Sequence, residues 1–571
     1  MLYIALLSQR TIYIALTYTP IILAILSLTY TASAQNPTIP TEAQTVARQV
    51  QPGNIEKTMR YLADDKLEGR KPGTRGYELA AQYVEQQFKT LGFKPMGQNG
   101  TYRQAVPLRR AQVREAGSTM AITRDDTPEQ KLIYGKNFVF SPQFGQETSI
   151  VSAPVVFVGF GVSAPELGYD DYANIDVKGK IVACFNGAPA TFPSNQRAYS
   201  NSAKPEVAAA KGAVGMITFS LPTDMMARIE ANAPRTRQAT YKWVDTKGQV
   251  QRTFPNLKVL ASMGDSTART LFAGAATSFD QARIAANKSQ PQAFPLNFSV
   301  RATTQTELNN DLVGENLIGL LPGSDPTLKN EYVVYVSHLD HLGITKPVRG
   351  NSIPGTSMPG DSINNGAHDN ASGMAINLEA ARLFTLLPKA PRRSILFVAV
   401  TAEEMGLLGS DYFASNPTVP KKDIVANLCL DMPFFFHPLL DIVPYGVEHS
   451  SMAGAVKSAA QFVDVTIAKD PIPEQSVFMR SDHFSFVRQG IPAIYVKSGS
   501  TTGDARDGTA LNLAWRASTY HTPQDDMNQP FDWNAAARHV QLQFLIGYLT
   551  AQADTRPVWN KGDFFGTKFG R

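Results

Sequence analysis

The sequence predicts an α/β protein: a mixed, mostly parallel sheet flanked by helices, with a small β-rich domain inserted. Three observations predict it. Beyond about residue 312, short all-apolar runs alternate with helical stretches, the pattern of strands buried on both faces. Between residues 148 and 300 the texture changes to strand segments punctuated by Gly and Pro. The chain has 571 residues, more than one compact core organises, so two or more domains are expected.

The elements follow in order. Residues 1–34 read as a signal peptide: Arg10, an apolar stretch including Ile21 to Leu26, then Ala32-Ser33-Ala34 before a cleavage site. The chain is therefore expected to be exported, periplasmic or secreted, with no stable membrane span after cleavage. Residues 35–147 begin the main domain. Ile55 to Ala63 and Tyr77 to Leu91 carry helical apolar spacing, broken by Gly69-Arg70-Lys71-Pro72-Gly73, and Gly92 ends the second helix. In the 148–300 insert, Val155 to Gly161, Lys180 to Phe185 and Gly215 to Phe219 are strands, with a short helix at Val207 to Lys211. Residues 301–571 complete the main domain. Tyr332 to Val336, Ile395 to Val400, Ile424 to Leu430 and Ile491 to Val496 are its strands. Met374 to Leu387 is a helix with Ser372 as cap and Pro388 beyond its end.

Composition narrows the function classes. A net charge of +5 is small for this length, and no Lys/Arg block is present, so nucleic acid is not an expected partner. Two cysteines, Cys184 and Cys429, are too few for a disulfide framework. No Gly-x-Ser-x-Gly elbow appears, which counts against a serine hydrolase.

Metal-binding side chains follow the strand ends. His338 ends one apolar run, Glu403 and Glu404 follow another, and Asp431 ends a third; Asp369 lies in Gly366-Ala367-His368-Asp369-Asn370-Ala371-Ser372-Gly373, and His521 in Tyr520-His521-Thr522-Pro523. Open α/β sheets place their sites beyond the carboxyl ends of strands, so these groups are expected to meet in one crevice. Two imidazoles and three carboxylates can hold two divalent cations about 3.5–4 Å apart, with one carboxylate bridging. Asp369, in its Gly-bounded loop, is the best bridge. The mixed N/O set favours Zn, with Co or Mn as possible substitutes. Of Glu403 and Glu404, one can bind metal while the other faces the attacking water. Asp340 is placed to accept the second ring N–H of His338 and fix its tautomer.

The series His-x-Asp, Gly-Ala-x-Asp-Asn-Ala-Ser-Gly, Glu-Glu, Leu-Asp-Met and Tyr-His-Thr-Pro resembles the M28 family of co-catalytic zinc aminopeptidases. The resemblance spans about residues 50–110 and 312–550, and the insert is similar to the protease-associated (PA) domain of some members. It implies two zinc ions, His338 and Asp431 on one, Glu404 and His521 on the other, and Asp369 between them. It implies Glu403 as general base acting on a metal-bridging hydroxide, Asp340 orienting His338, and Tyr520 polarising the scissile carbonyl. The chain departs from the pattern at His368, where members often have an acid, and at Met432-Pro433-Phe434-Phe435-Phe436, which replaces a Gly-containing turn.

The expected activity is that of an exported zinc exopeptidase acting on peptides, an aminopeptidase by resemblance. A carboxypeptidase or other amide hydrolase on the same frame, a one-zinc cyclase, and a non-enzymatic binding protein on a peptidase fold are the alternatives. His341, His368 and His483 lie near the motifs without a ligand role, His483 being read as supporting or structural. Preferred residue, peptide length, oligomeric state and the insert's task are not legible.

Overall fold

The computed structural model describes residues 36–125, 127–219, 237–290, 292–345 and 361–570. The segment read as a signal peptide lies outside the described residues. Among the described residues, no helix is long and apolar enough to cross a membrane.

One sheet runs through the molecule. Its main-domain half has four parallel neighbours in the order Ala493–Ser498, Ile424–Cys429, Tyr332–His338 and Ser394–Val400. Asp441–Tyr445 adds antiparallel beyond Ala493–Ser498, and Ala293–Leu321 adds antiparallel beyond Ser394–Val400. The sheet is thus mixed and mostly parallel in this half.

The continuous apolar runs are explained by two covered faces. Successive side chains of a strand point to opposite faces. Val333, Tyr335, Ile395, Phe397 and Ala399 join the core beneath helices Pro52–Leu62, Arg75–Thr90, Gly373–Thr385 and Trp533–Gln552. Val334, Val336, Leu396, Val398 and Val400 join a second core, with Phe413 of helix Leu408–Ser415 and Phe486 of helix His483–Val487. Each fully buried aliphatic or aromatic side chain contributes about 1.5–3 kcal/mol of transfer free energy. Packing is tight enough to select residues: a Cβ at Gly547, mid-helix, would lie 1.7 Å from the Tyr335 hydroxyl. That hydroxyl donates to the Gln543 carbonyl at 2.7 Å.

Two long strands connect the halves. Arg103–Thr123 pairs antiparallel with Ala293–Leu321, with register shifts at Thr303/Gln305 and Asn309/Leu312. Along the second strand Leu296, Phe298, Val300, Ala302, Thr304 and Thr306 are buried at period two. Beyond it lie Thr148–Val158, Ile181–Phe185, Gly215–Phe219 and Val259–Met263, mutually parallel, with Phe138–Phe140 at the edge. These strands enclose a separate core of aromatic side chains, among them Phe157, Phe185, Phe219, Phe272 and Phe279. Residue 300 falls inside the 29-residue strand Ala293–Leu321, so the sheet itself carries the chain from one half into the other. Cys184 and Cys429 are both buried and free.

Candidate metal centre

The carboxyl ends of the parallel strands converge on one crowded group of acids and imidazoles. His338 closes the strand Tyr332–His338, and Asp431 follows Ile424–Cys429 by two residues. Glu403 and Glu404 begin the turn after Ser394–Val400. Asp369 lies in a distorted helical turn, Ala367–Ser372, ahead of helix Gly373–Thr385; its peptide bond to Asn370 is cis. Gly366 opens that turn at φ +58°, where a Cβ would meet the Asp369 carbonyl at 2.2 Å and the His341 ring at 2.6 Å. Only glycine meets both demands. His521 ends the segment after helix Gly508–Ser518.

Asp369 stands between the two histidines. Its Oδ1 lies 3.3 Å from His338 Nε2, and its Oδ2 lies 3.2 Å from His521 Nε2. His338 Nε2 also faces Asp431 Oδ1 at 3.5 Å, and His521 Nε2 faces Glu404 Oε2 at 3.0 Å. Two triads thus share one carboxylate: His338, Asp369, Asp431 and His521, Asp369, Glu404. His341 adjoins the second triad with Nδ1 2.6 Å from Glu404 Oε1, and its ligand atom falls within the spacing a cation needs.

Neighbouring groups fix these side chains. His338 Nδ1 lies 3.2 Å from the main-chain oxygen of Asp340, whereas the Asp340 carboxylate is 3.9 Å away. The expected carboxylate contact is therefore replaced by the main chain. The Asp340 carboxylate accepts instead from the Glu403 and Glu404 N–H groups at 3.1 and 3.3 Å. Asp431 Oδ2 accepts from Ser481 Oγ at 2.7 Å, and its main-chain oxygen accepts from the Tyr495 hydroxyl at 2.6 Å. Asp525 receives the His368 and Asp369 N–H groups at 2.8 and 2.9 Å. Tyr520 stacks on His521 with ring centres 3.7 Å apart.

Arg70 links both loops from beneath. Its buried guanidinium donates to the main-chain oxygens of Leu339, Leu62, Asn365 and Gly366. Burial lowers its pKa to about 10 against the pull of Asp525, Asp369, Asp340 and Glu404. The Gly69 to Gly73 stretch, expected only to break two helices, thus also supplies the Arg70 guanidinium. Asp525 and Arg70 were both missed; Asp525 had one usable signal, its place four residues past His521.

The charge balance of the site points outward. Asp340, Asp369, Asp431, Asp482 and Asp525 are buried, and the Glu404 side chain is 7% exposed. Arg70 and Lys497 are the buried cations beside them, and burial drives Lys497 down to about 7. Burial and the neighbouring Glu404, Asp431 and Asp482 hold Glu403 well above the carboxylate range. Burial opposes a charge on His338 and His521, yet the acids overcome it. Glu403, Asp369 and Asp431 raise His338, and Asp369 with Glu404 raises His521 to about 10. His338 Nε2, His521 Nε2 and Asp431 Oδ1 are buried with no hydrogen-bond partner among the described residues. Each such atom costs about 1–3 kcal/mol if left unsatisfied. A bound metal would satisfy such atoms, and the imidazole and carboxylate donors of His338, His521, Asp369, Asp431 and Glu404 suit zinc.

The other singled-out histidines lie apart. The His368 ring points into an aromatic box of Phe434, Phe435, Phe436, Trp515 and Phe531, with Trp515 at 4.9 Å and Phe436 at 5.0 Å. Burial and the Lys497 charge keep it neutral, well below the ordinary histidine value. The Met432 to Phe436 stretch thus builds a wall beside the site; Phe434 and Phe435 are fully buried in it. His483 is buried between Phe478 and Tyr495.

Residues 316–546 match the model of Peptidase family M28, and residues 151–246 match the PA domain. A probable zinc metalloprotease of Leptosphaeria maculans is 49% identical over 250 residues, covering 34% of this chain and 57% of that protein. Leucine aminopeptidase 1 of Trichophyton rubrum is 25% identical over 246 residues, covering 42% and 58%. Leupeptin-inactivating enzyme 1 of Streptomyces exfoliatus is 33% identical over 133 residues, covering 23% and 25%. The chain thus spans from a quarter to under three fifths of the length of these curated relatives. Among solved structures, an aminopeptidase from Aneurinibacillus sp. strain AM-1 aligns with a TM-score of 0.47 at 19% identity, covering 90% of this chain and 96% of that one. Residues 316–546 thus carry the pattern of peptidase family M28, and residues 151–246 that of the PA domain.

Proposed function

We propose that the protein is an exported di-zinc exopeptidase that removes N-terminal residues from peptides. The observation that carries this reading is Asp369, whose two oxygens face two different imidazoles at 3.3 and 3.2 Å. In this reading His338 and Asp431 hold one zinc, His521 and Glu404 hold the other, and Asp369 is shared. Bound zinc would polarise the scissile carbonyl and bring the pKa of water toward neutrality.

The chain's own residues supply the proton path and the orientation. Glu403 takes a proton from the attacking water and hands it to the departing amine. Its backbone is fixed for that task by the Asp340 carboxylate, which also fixes Glu404. Tyr520, stacked on His521, would direct its hydroxyl to the substrate carbonyl. Zinc binding by imidazole needs Nε2 free of its proton, and the Asp340 main-chain oxygen keeps the His338 proton on Nδ1.

The match of residues 316–546 to the M28 family model and the printed activities of the relatives support an exopeptidase. We assign residues 148–300 to the PA insert, and residues 35–147 with 301–571 to the peptidase domain. A panel of fluorogenic aminoacyl amides, their N-acetylated forms and N-blocked peptides with a free C-terminus tests the reading. Zinc-loaded protein is expected to cleave only substrates with a free α-amine. Cleavage of the N-blocked peptides alone would replace the assignment with a carboxypeptidase.

A further inference from the structure

A cavity adjoins the metal-binding cluster on the side of Asp431 and His521. Its walls are the paired strands Ala493–Ser498 and Asp441–Tyr445, residues 470–477 and the helix Gly508–Ser518. Lys497 and Arg516 line it with Asn512, Tyr445 and Asp470. Two contacts join it to the centre. The Lys497 ammonium donates to the Tyr495 hydroxyl at 3.0 Å, and that hydroxyl donates to the Asp431 main-chain oxygen at 2.6 Å. The Arg516 guanidinium stands 5.2 Å from the centre of the Tyr520 ring, which stacks on His521. Each cation is therefore one side chain removed from a residue assigned to a different zinc position.

Neither cation has an acid of its own. Among the described residues, Lys497 and Arg516 form no ion pair. Lys497 is 6% exposed, and Tyr495 takes one of its three N–H donors. Arg516 Nε donates to Asn512 Oδ1 at 3.0 Å, and its two terminal nitrogens make no hydrogen bond among the described residues. Asp470 is the acid of the cavity, but its Oδ1 is taken by the Ile472 N–H at 2.9 Å and the Tyr445 hydroxyl at 3.4 Å. The charges of Asp431 and Asp369 favour the ammonium of Lys497, yet the reading above gives both acids to zinc. A lysine that only balanced the metal ligands would gain nothing from a second cation, and the Arg516 charge opposes it. The first residues of helix Gly508–Ser518 also line the cavity and add the positive end of a helix dipole. The cavity holds about 50 Å³, room for about three to five water-sized groups, which suits the carboxyl end of an Asp or Glu side chain.

The side of the site matters. The side chains whose charges act most on Glu403 are His338, Glu404, Asp431 and Asp482, whereas Lys497 and Arg516 act on His368, next to the shared Asp369. In the reading above Glu403 gives its proton to the departing amine, so the leaving product lies toward Glu403 and the first residue toward His368. We propose that the cavity recognises the carboxylate side chain of the substrate's first residue, aspartate or glutamate, with Lys497 and Arg516 as its cationic groups. The inference rests on the aminopeptidase reading above and adds selectivity for an acidic N-terminal residue. An ammonium and a guanidinium offer charge-assisted hydrogen bonds to the two oxygens of one carboxylate. A glutamine of the same shape leaves both cations without a counter-charge.

The α-p-nitroanilides of glutamate, glutamine and leucine, with Leu-Glu amide and Leu-Gln amide, test this on zinc-loaded full-length protein. The wild type is expected to cleave the glutamate p-nitroanilide at least about tenfold better, in kcat/KM, than the glutamine one. Arg516→Gln and Lys497→Met should each collapse that ratio toward one, chiefly through KM, and Arg516→Lys should recover part of it. Arg516 is partly exposed, so its variants carry the test even where Lys497→Met disturbs Asp431 through Tyr495. A wild-type ratio near one overturns the proposal, as does a ratio unchanged in both Arg516→Gln and Lys497→Met. A preference for Leu-Glu amide over Leu-Gln amide with none among the p-nitroanilides overturns it as well, because the recognised carboxylate then belongs to the leaving product. Cleavage of leucine p-nitroanilide in those cases leaves the peptidase reading standing. Failure to cleave any of the five removes both.

Discussion

Two buried aspartates, one in each half of the molecule, have opposite surroundings. Asp171 in the insert is 2% exposed, and its oxygens accept from the Phe160 and Val162 N–H groups at 3.1 and 3.0 Å and from the Tyr169 hydroxyl at 2.8 Å. Asp369 in the peptidase half is equally buried, but its oxygens face imidazole nitrogens and other acids. The first carboxylate is satisfied by fixed protein donors and organises a loop. The second belongs to a crowd whose charge the protein does not balance by itself. Burial of an acid is therefore no sign of chemistry; what distinguishes the peptidase half is unbalanced charge around unpartnered donor atoms.

The widest separation between the two regions should appear in turnover. Glu403→Gln is expected to keep zinc and lower kcat by about 10²–10⁴-fold, the usual contribution of a general base. Steady-state kinetics on protein of verified zinc content measures this, and full activity would remove Glu403 from that role. Metal removal should come next. Chelation should abolish activity and lower the unfolding midpoint, and zinc should restore both. At free zinc about 1,000-fold above Kd the linkage is worth about 4 kcal/mol. A midpoint indifferent to chelator would break the charge argument.

Asp171→Ala sharpens the other side of the comparison. It leaves two buried N–H groups unpaired and should cost about 1–3 kcal/mol in stability, read as a lower urea midpoint. Zinc content and kcat should not move, because Asp171 touches none of the site. The smallest effect belongs to Asp563. Burial pushes its carboxyl up, but the His449 ring at 2.6 Å and the Gly566 N–H outweigh burial and hold it below its ordinary value. A depressed folded pKa contributes stability above the unfolded value of about 4 and loses it as pH falls through the folded value. Asp563→Asn should therefore cost about 1 kcal/mol or less at pH 7, a cost that shrinks as pH falls through the folded value, measured by urea unfolding across an acid pH series.

The parallel strands were legible because both their faces are covered, which leaves runs such as Tyr332 to Val336 with no polar interruption. The two connecting strands were not. Ala293–Leu321 and Arg103–Thr123 have open stretches where charged residues such as Arg110 and Glu307 alternate with buried ones, and this broke the apolar signal. At the site, the strand-end histidine and acids were readable because each sits in its own short motif. Arg70 was not, since its work is done through four main-chain oxygens from three segments, two of them far off in sequence, and nothing in a main-chain oxygen marks the sequence. His341 was passed over because one imidazole on a loop looks like any other until its Nδ1 is found 2.6 Å from Glu404.

The central claim is that Asp369 is shared between two cation positions. The zinc content of the full-length chain, by elemental analysis after zinc loading and gel filtration, tests it most directly. The account predicts two zinc ions per chain, falling below one in Asp369→Asn, which weakens both positions together. One zinc per chain, or a content unchanged in Asp369→Asn, would contradict it.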